Sequence, residues 1–397
     1  MSKHESLYFL SGKRTPFGGY GGSLKDVHPT QLSVAASKAS MAQAGVDPEW
    51  IDHVIFGNVL PSGEGSIYIP RHIGLYSGVP QSRGALGVNR LCGTGFQVIV
   101  EAWHQMLAGD TAMALVGGVE NMSMSPYQIR NARWGLRMGN SEVVDLMMES
   151  LSDSFCNAPM AITAENLAVQ YKISREDSDL FSLQSQQKTR AAQESGKFED
   201  EICPWETKNK KGETVKLLKD EHPRPETTPD ILAKLKPVFK KDGVVTAGNA
   251  SGIVDGAAAM IVASESAVAK RNLRPIGRMI SYGVAGVDPS IMGMGPVDAS
   301  KIALEKAGLR LSDMDLIEVN EAFAPQALAV AKALEIDPAR MNVNGGAIAI
   351  GHPLAASGTR ISMHMLYELR RRKKKLGLVS ACIGGGQGIA LVVEALS

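Results

Sequence analysis

Cysteine is scarce in this chain, with four in 397 residues at positions 92, 156, 203 and 382, and none lies in a CxxC pair or at metal-ligand spacing. That scarcity excludes a disulfide framework and points to free thiols in a reducing compartment. A bias of charge is missing too. Lys+Arg 42 against Asp+Glu 41 leaves a formal charge of +1, so no global field recruits nucleic acid or an anionic membrane, and a polyanionic ligand must be met locally. No stretch approaches the roughly 20 consecutive apolar residues of a membrane span. The opening MSKHESLYFLSGKRTPFG has too short an apolar run for a signal sequence. A cytoplasmic protein is expected, with the mitochondrial matrix as the alternative for a eukaryotic source.

What is present is a composition of 44% hydrophobic and 21% charged residues, enough for one large or two moderate globular domains. The main organisational signal is a long-period internal repeat. ASKASMAQAGVDPEWIDHVIFGN (36 to 58) and ASKIALEKAGLRLSDMDLIEVN (299 to 320) share their opening, an Ala-Gly near the helix end, and Asp52 matched by Asp315. Each copy predicts an amphipathic helix stopped at Gly45 or Gly308, then a short buried strand. In both halves a Gly-rich segment, a helix and a further apolar strand follow, at TAMALVGG (111 to 118) and LGLVSACIGGG (376 to 386). Helix alternating with strand predicts βαβ units and a largely parallel sheet. Residues 122 to about 250 are more polar. They predict helices at AENLAVQY and from Ser174, where Asp177 completes a capping-box pattern, and then an exposed loop and ribbon at KNKKGETVKLLKDEHPRPETTP.

Three reactive side chains stand in glycine-rich frames. Cys92 in NRLCGTGFQ (89 to 97) precedes a helix, where the dipole and free N–H groups lower a thiol pKa; a buried structural cysteine is the competing reading. His352 lies in a turn between Gly351 and Pro353, which suits a general base held to one orientation and equally a surface-turn histidine. Cys382 ends an apolar strand and opens CIGGGQG (382 to 388). Those glycines offer N–H groups for an oxyanion hole or simply form a tight turn between core strands. Two thiols and an imidazole in such settings point to covalent thioester chemistry. Other signatures are absent: GNASG (248 to 252) is not a nucleophile elbow, there is no P-loop or HExxH, and CGTGFQV lacks the third glycine of a dinucleotide fingerprint. The basic run 370 to 375 reads as a solvated helix end.

Together these segments resemble the thiolase family over essentially the whole chain. NRLCGTGFQ is similar to its nucleophile segment and VTAGNASGIVDGA (245 to 257) to its coenzyme A loop. NEAFA (320 to 324), NVNGGAIAIGHP (342 to 353) and CIGGGQG match its C-terminal signatures. PMAITAENLAVQYKISRED (159 to 177) is most similar to the mitochondrial-type 3-ketoacyl-CoA branch. The resemblance implies an α/β fold of two repeated βαβαβαββ halves stacked as five layers, α-β-α-β-α, with an inserted loop domain. It implies one half at 1–121 plus 251–273, the insertion at 122–250 for coenzyme A and substrate, and the other half at 274–397.

The resemblance also implies roles. Cys92 would carry the acyl group, His352 would take its proton, and Cys382 would protonate the departing acetyl-CoA carbanion. His352 with a water held by Asn320 would form one anion site, and the N–H groups of Cys92 and Gly384 the other. Arg224, Thr227 and Ser251 would contact coenzyme A, which is a co-substrate; no tightly bound cofactor or metal is expected. Implied substrates are 3-ketoacyl-CoA, acetyl-CoA and CoA, and implied assembly is a homodimer or homotetramer. A dedicated acetyl-CoA acetyltransferase and a non-catalytic acyl-CoA binder are the competing functions. Two departures stand out: Ala355 replaces a glycine of the usual GHPxGxSG, which leaves a close backbone approach there in question, and Thr94 replaces a serine.

Overall fold

The computed structural model describes residues 6–208 and 212–397. Residues 1–5 and 209–211, parts of the leader and loop readings, lie outside them. The elements that frame the site are β1 (Leu7–Arg14), α1 (Pro29–Ala44), β2 (His53–Gly57), α2 (Ile69–Ser77), β3 (Gly84–Val88), α3 (Thr94–Ala108) and β4 (Met113–Glu120). The intervening segment carries α4 (Met160–Gln170) and α5 (Arg175–Glu194). There follow β5 (Val254–Ser264), β6 (Gly277–Gly286), α6 (Gly295–Ala307), β7 (Leu316–Val319), α7 (Ala324–Leu334), α8 (Leu354–Arg371), β8 (Leu376–Ile383) and β9 (Gln387–Ala395).

These strands form one path in the order β7-β8-β9-β6-β1-β5-β4-β2-β3. β2 runs parallel to β3 and β4, and β7 to β8; the remaining pairings along the path are antiparallel. The largely parallel sheet expected from alternating helices is therefore a mixed one. Parallel pairs occur where a helix crosses over. β9 instead folds straight back on β8 through Gly384 to Gly386, where Gly385 and Gly386 take φ of +80° and +79°, a conformation that side chains resist.

Side chains alternate across the strands and sort into three cores. Ala114 and Val116 of β4, Met260 and Val262 of β5, Val379 and Ile383 of β8, and Leu391 of β9 all meet Phe96 and Ile99 of α3 and Ile361 and Met363 of α8. The opposite faces of β4 and β5 pack under Leu32 and Met41 of α1 and Ile73 of α2. Those of β8 and β9 pack under Leu304 of α6 and Val330 of α7. The result is five layers, α-β-α-β-α, with α3 and α8 enclosed between the two halves of the sheet. Each large apolar side chain so buried contributes roughly 1.5–3 kcal/mol.

The repeat is visible in hydrogen bonds as well as in sequence. Asp52 accepts from the N–H groups of Ala112 and Met113 at 3.0 and 3.1 Å. Asp315 accepts from Lys375 and Leu376, both at 2.9 Å. Donors and acceptors alike are related by the same 263-residue offset. Under that offset Gly95 corresponds to Gly358, and the two touch. A Cβ on Gly95 would lie 2.5 Å from the Thr359 nitrogen, and one on Gly358 would lie 2.4 Å from the Phe96 nitrogen. A residue in contact with its own counterpart lies on the pseudo-twofold axis, so α3 and α8 cross there at backbone contact.

The inserted segment is tied to this frame by a buried ionic cluster. Arg14 of β1 makes a two-pronged bond to Asp220 at 2.6 and 3.0 Å and a third to Glu201 at 2.7 Å. His364 of α8 reaches Glu201 at 2.7 Å. Burial alone would raise the Glu201 pKa; His364 and Arg14 outweigh it and hold it at about 2. The predicted capping box of α5 is present, with Ser174 and Asp177 bonding each other's backbone N–H.

Candidate active site

Cys92 occupies a single 3-10 turn, Leu91–Gly93, that leads directly into α3. Asn89 Oδ1 accepts from Leu91 N at 2.9 Å and Thr94 Oγ1 from Arg90 N at 2.8 Å. Leu91 is held at φ +46°, an unusual state for a branched residue and one that concentrates at functional sites. The turn packs on β8, since a Cβ on Gly93 would lie 2.4 Å from Ile383 Cδ1. The Gly384 N–H and the Cys92 N–H both act on the Cys92 sulfur. The structure therefore brings the two N–H groups singled out in the sequence to one atom.

The helix start does not lower the thiol pKa as expected. Burial pushes Cys92 up to about 11, with the Glu120 carboxylate adding to it, and the two N–H groups offset only part. Cys382, fully buried on β8, is pushed higher still, first by burial and then by Cys92 itself. Its reading as a tight turn and its reading as a reactive thiol are compatible, because the hairpin that follows it is what aims Gly384 at Cys92. Cys382 packs with Met292, Ala322, Met160 and Phe323.

His352 is buried at the start of α8, its backbone N–H bonded to Gly252 O at 2.9 Å. Its competing reading as a surface-turn histidine falls. Ser357, one turn into α8, donates to Pro353 O at 3.2 Å and lies 2.6 Å from His352 Nδ1. That network assigns the ring proton to Nδ1 and leaves the Nε2 lone pair 3.3 Å from Asn320 Nδ2. Burial, with Arg360 adding to it, lowers the His352 pKa to about 4, so at neutral pH the ring is an uncharged acceptor. Asn320 is fixed by its N–H to Ser380 O at 2.9 Å, and its Oδ1 is buried without a protein partner among the described residues. An orphaned polar atom beside Nε2 fits a bridging water.

The segment around Ser251 is stitched between these parts. Ser251 N donates to Ala322 O at 2.9 Å, and Ala250 bridges Phe323. A Cβ on Gly252 would lie 2.1 Å from His222 Nε2, whose ring is anchored by Nδ1 to Ala349 O at 2.8 Å. Arg224 is exposed, with its backbone N–H on Gln186 Oε1 at 2.9 Å of α5. Thr227 Oγ1 closes that turn onto Arg224 O at 2.8 Å. Arg224 is thus exposed, while Thr227 and Ser251 are half-buried.

Both sequence departures are accommodated. The additional methyl of Thr94 points at Gly57, where a Cβ would lie 1.9 Å from Thr94 Cγ2. At Ala355 the close approach is made by its carbonyl against Gly118, so the glycine needed is on β4. The Ala355 side chain fills a cluster with Val59, Leu60, Leu354 and Cys92. Ser357, His222 and Glu120 were not singled out by sequence. Ser357 could have been found from its position one turn beyond His352; the others carry no local signal.

Two duplicated halves that present a half-buried thiol, a second, buried thiol and a neutral imidazole, with N–H groups at the first sulfur, define an enzyme of covalent acyl transfer. Family models agree, with the N-terminal domain of thiolase matching residues 8–266 and the C-terminal domain of thiolase matching 273–395. The chain belongs to the thiolase family. It is 53% identical over 395 residues to mitochondrial 3-ketoacyl-CoA thiolase of Homo sapiens, covering 99% of each. The crystal structure of the human enzyme in complex with CoA matches at TM-score 0.96, with 99% of this chain and 98% of that one covered and 53% identity. Acetyl-CoA acetyltransferase of Bacillus anthracis matches at TM-score 0.96 and 41% identity, with 99% of both chains covered.

Proposed function

We propose that this chain is a 3-ketoacyl-CoA thiolase, cleaving its substrate with CoA to acetyl-CoA and a shortened acyl-CoA, and running the reverse Claisen condensation. The observation that carries this reading is the packing of the Cys92 turn on Ile383 of β8, the strand that also carries Cys382 and leads into the Gly384 hairpin. Cys92 gives its proton to His352 Nε2 as its sulfur attacks the 3-keto carbon, and the oxyanion falls between the Cys92 and Gly384 N–H groups. The Cα–Cβ bond then breaks. Its electron pair leaves as the enolate of acetyl-CoA, held by His352 and the water of Asn320, and the Cys382 S–H delivers a proton to carbon. An incoming CoA thiol restores that proton to Cys382 and attacks the acyl-Cys92 thioester, and Cys92 recovers its own proton from His352. Two half-reactions through one covalent species give ping-pong kinetics.

The CoA complex of the human relative supports CoA as co-substrate here, with Arg224, Thr227 and Ser251 as its contacts and residues 122–250 as the part that receives it. Mixing the protein with acetoacetyl-CoA should add one acetyl group at Cys92 by mass spectrometry; intact, unlabelled protein would favour a binder. Comparing kcat/KM for acetoacetyl-CoA and 3-ketooctanoyl-CoA separates this reading from a dedicated acetyltransferase, which a strong four-carbon preference would indicate. Assembly as a homodimer or homotetramer is supported by β3, a sheet edge beside exposed Ile67, Tyr68 and Tyr76. The four free cysteines fit a reducing compartment, cytoplasm or mitochondrial matrix.

A further inference from the structure

One buried carboxylate has no part in the steps above. Glu120 ends β4, has no exposure, and bonds the backbone of Val59, Leu60 and Ala355, members of the apolar cluster that Cys92 packs against. Its Oε1 accepts from Asn58 Nδ2 at 2.6 Å, Val59 N at 2.9 Å and Leu60 N at 3.1 Å. Its Oε2 accepts from Ala355 N at 3.2 Å and Val59 N at 3.3 Å. Ala355 is the second residue of α8 and lies three positions after His352. One side chain of the first half thus spans from the loop after β2 to the turn that carries the histidine of the second half.

Burying a carboxyl group without a cation is costly, and among the described residues no cation is bonded to Glu120. Core packing alone would be met by an apolar residue. The donors are the backbone N–H groups of Val59 and Leu60 and the side-chain amide of Asn58 on one side and the Ala355 N–H on the other, so the carboxyl group acts as a two-sided acceptor.

We propose that Glu120 is a positioning residue for the reaction, a clamp that fixes the His352 turn against the pocket of Cys92 so that Nε2 and the thiol meet at proton-transfer distance. This rests on the thiolase reading above. Glu120 touches neither substrate nor the reacting atoms; it acts through Ala355 N and through its proximity to Cys92. Burial pushes its own pKa up to about 8, so above that pH its charge opposes ionisation of Cys92. The titratable and charged groups that face the pair are Cys382 from β8 and, behind His352, Arg360 of α8.

The test compares wild type with Glu120→Gln and Glu120→Asp by rapid-mix mass spectrometry of acetyl-Cys92 formation from acetoacetyl-CoA, alongside Tm and steady-state kinetics. Glu120→Gln must turn an N–H₂ group toward one set of donors, and Glu120→Asp shortens the reach to Ala355. Both should slow acetylation by roughly 10- to 100-fold with KM within about twofold. In Glu120→Gln the alkylation of Cys92 by iodoacetamide should also move to lower pH, which loss of packing alone would not cause. Wild-type acetylation rates per folded molecule in either variant, or a defect confined to KM or to Tm, overturn the inference. Failure of wild type itself to acquire acetyl would instead sink the thiolase reading.

Discussion

The site should contain no preformed thiolate–imidazolium pair, and this can be measured. Cys92 stands at about 11 and His352 at about 4, a gap of about seven pH units. At about 1.36 kcal/mol per unit, moving the proton between them in the resting site costs roughly 9 kcal/mol. Even at about 4 Å apart, attraction between the two new charges would recover only about 4 kcal/mol. The remaining 5 kcal/mol leaves fewer than about one resting molecule in a thousand as the ion pair, so the proton leaves Cys92 only as the sulfur attacks. Iodoacetamide reports this directly, because only the thiolate is alkylated. The second-order rate should climb about tenfold per pH unit from pH 7 to 10 without a plateau. In His352→Asn that profile should be nearly unchanged, although acetylation by acetoacetyl-CoA falls by about 10³-fold. A plateau between pH 6 and 8 that disappears in His352→Asn would show a stable ion pair and refute the reasoning.

Three other perturbations have defined outcomes. Gly358→Ala forces a methyl to within 2.4 Å of the Phe96 nitrogen and should cost about 3 kcal/mol or more, read as a lower urea midpoint. Gly57→Ala should be destabilising in wild type yet better tolerated with Thr94→Ser, because the clash is with the Thr94 methyl; a double-mutant cycle should return a coupling of at least about 1 kcal/mol, and simple additivity would contradict that contact. For His352, a folded-state value below the unfolded one means that the unfolded chain binds the extra proton, so stability falls as pH drops from about 6.5 to about 4. That loss, roughly 3 kcal/mol, should be missing from His352→Asn in urea titrations across the same range.

Much of this was legible because the chemistry is written in contiguous segments. NRLCGTGFQ, GHPL and CIGGGQG each hold a reactive atom and the glycines that shape its surroundings, and the structure brings them together. The repeat was legible through Asp52 and Asp315, whose identical capping of the start of the neighbouring parallel strand, β4 or β8, explains why both are aspartate. Quantities that depend on three-dimensional enclosure were not legible. A helix start announces a lower thiol pKa, but only the fold shows that desolvation of the half-buried Cys92 outweighs it. Strand direction was misjudged because a three-glycine hairpin and a strand delivered by a long insertion both escape the βαβ pattern. Glu120 lacks any local signature, since its donors lie at 58 to 60 and at 355.

The pseudo-twofold axis at Gly95 and Gly358 has a bearing on how the protein is made. Under the same offset, the counterpart of Cys92 is Ala355, so the duplication yields one equipped locus rather than two. A chain leaving the ribosome presents Cys92 some 260 residues before His352 and 290 before Cys382. Until α8 settles against α3 and the last hairpin closes, that cysteine is an ordinary thiol with no base and no N–H partner from position 384. On the proposed mechanism, acyl transfer therefore awaits the segment from His352 to Gly384, and a polypeptide that stops short of it should not consume acyl-CoA.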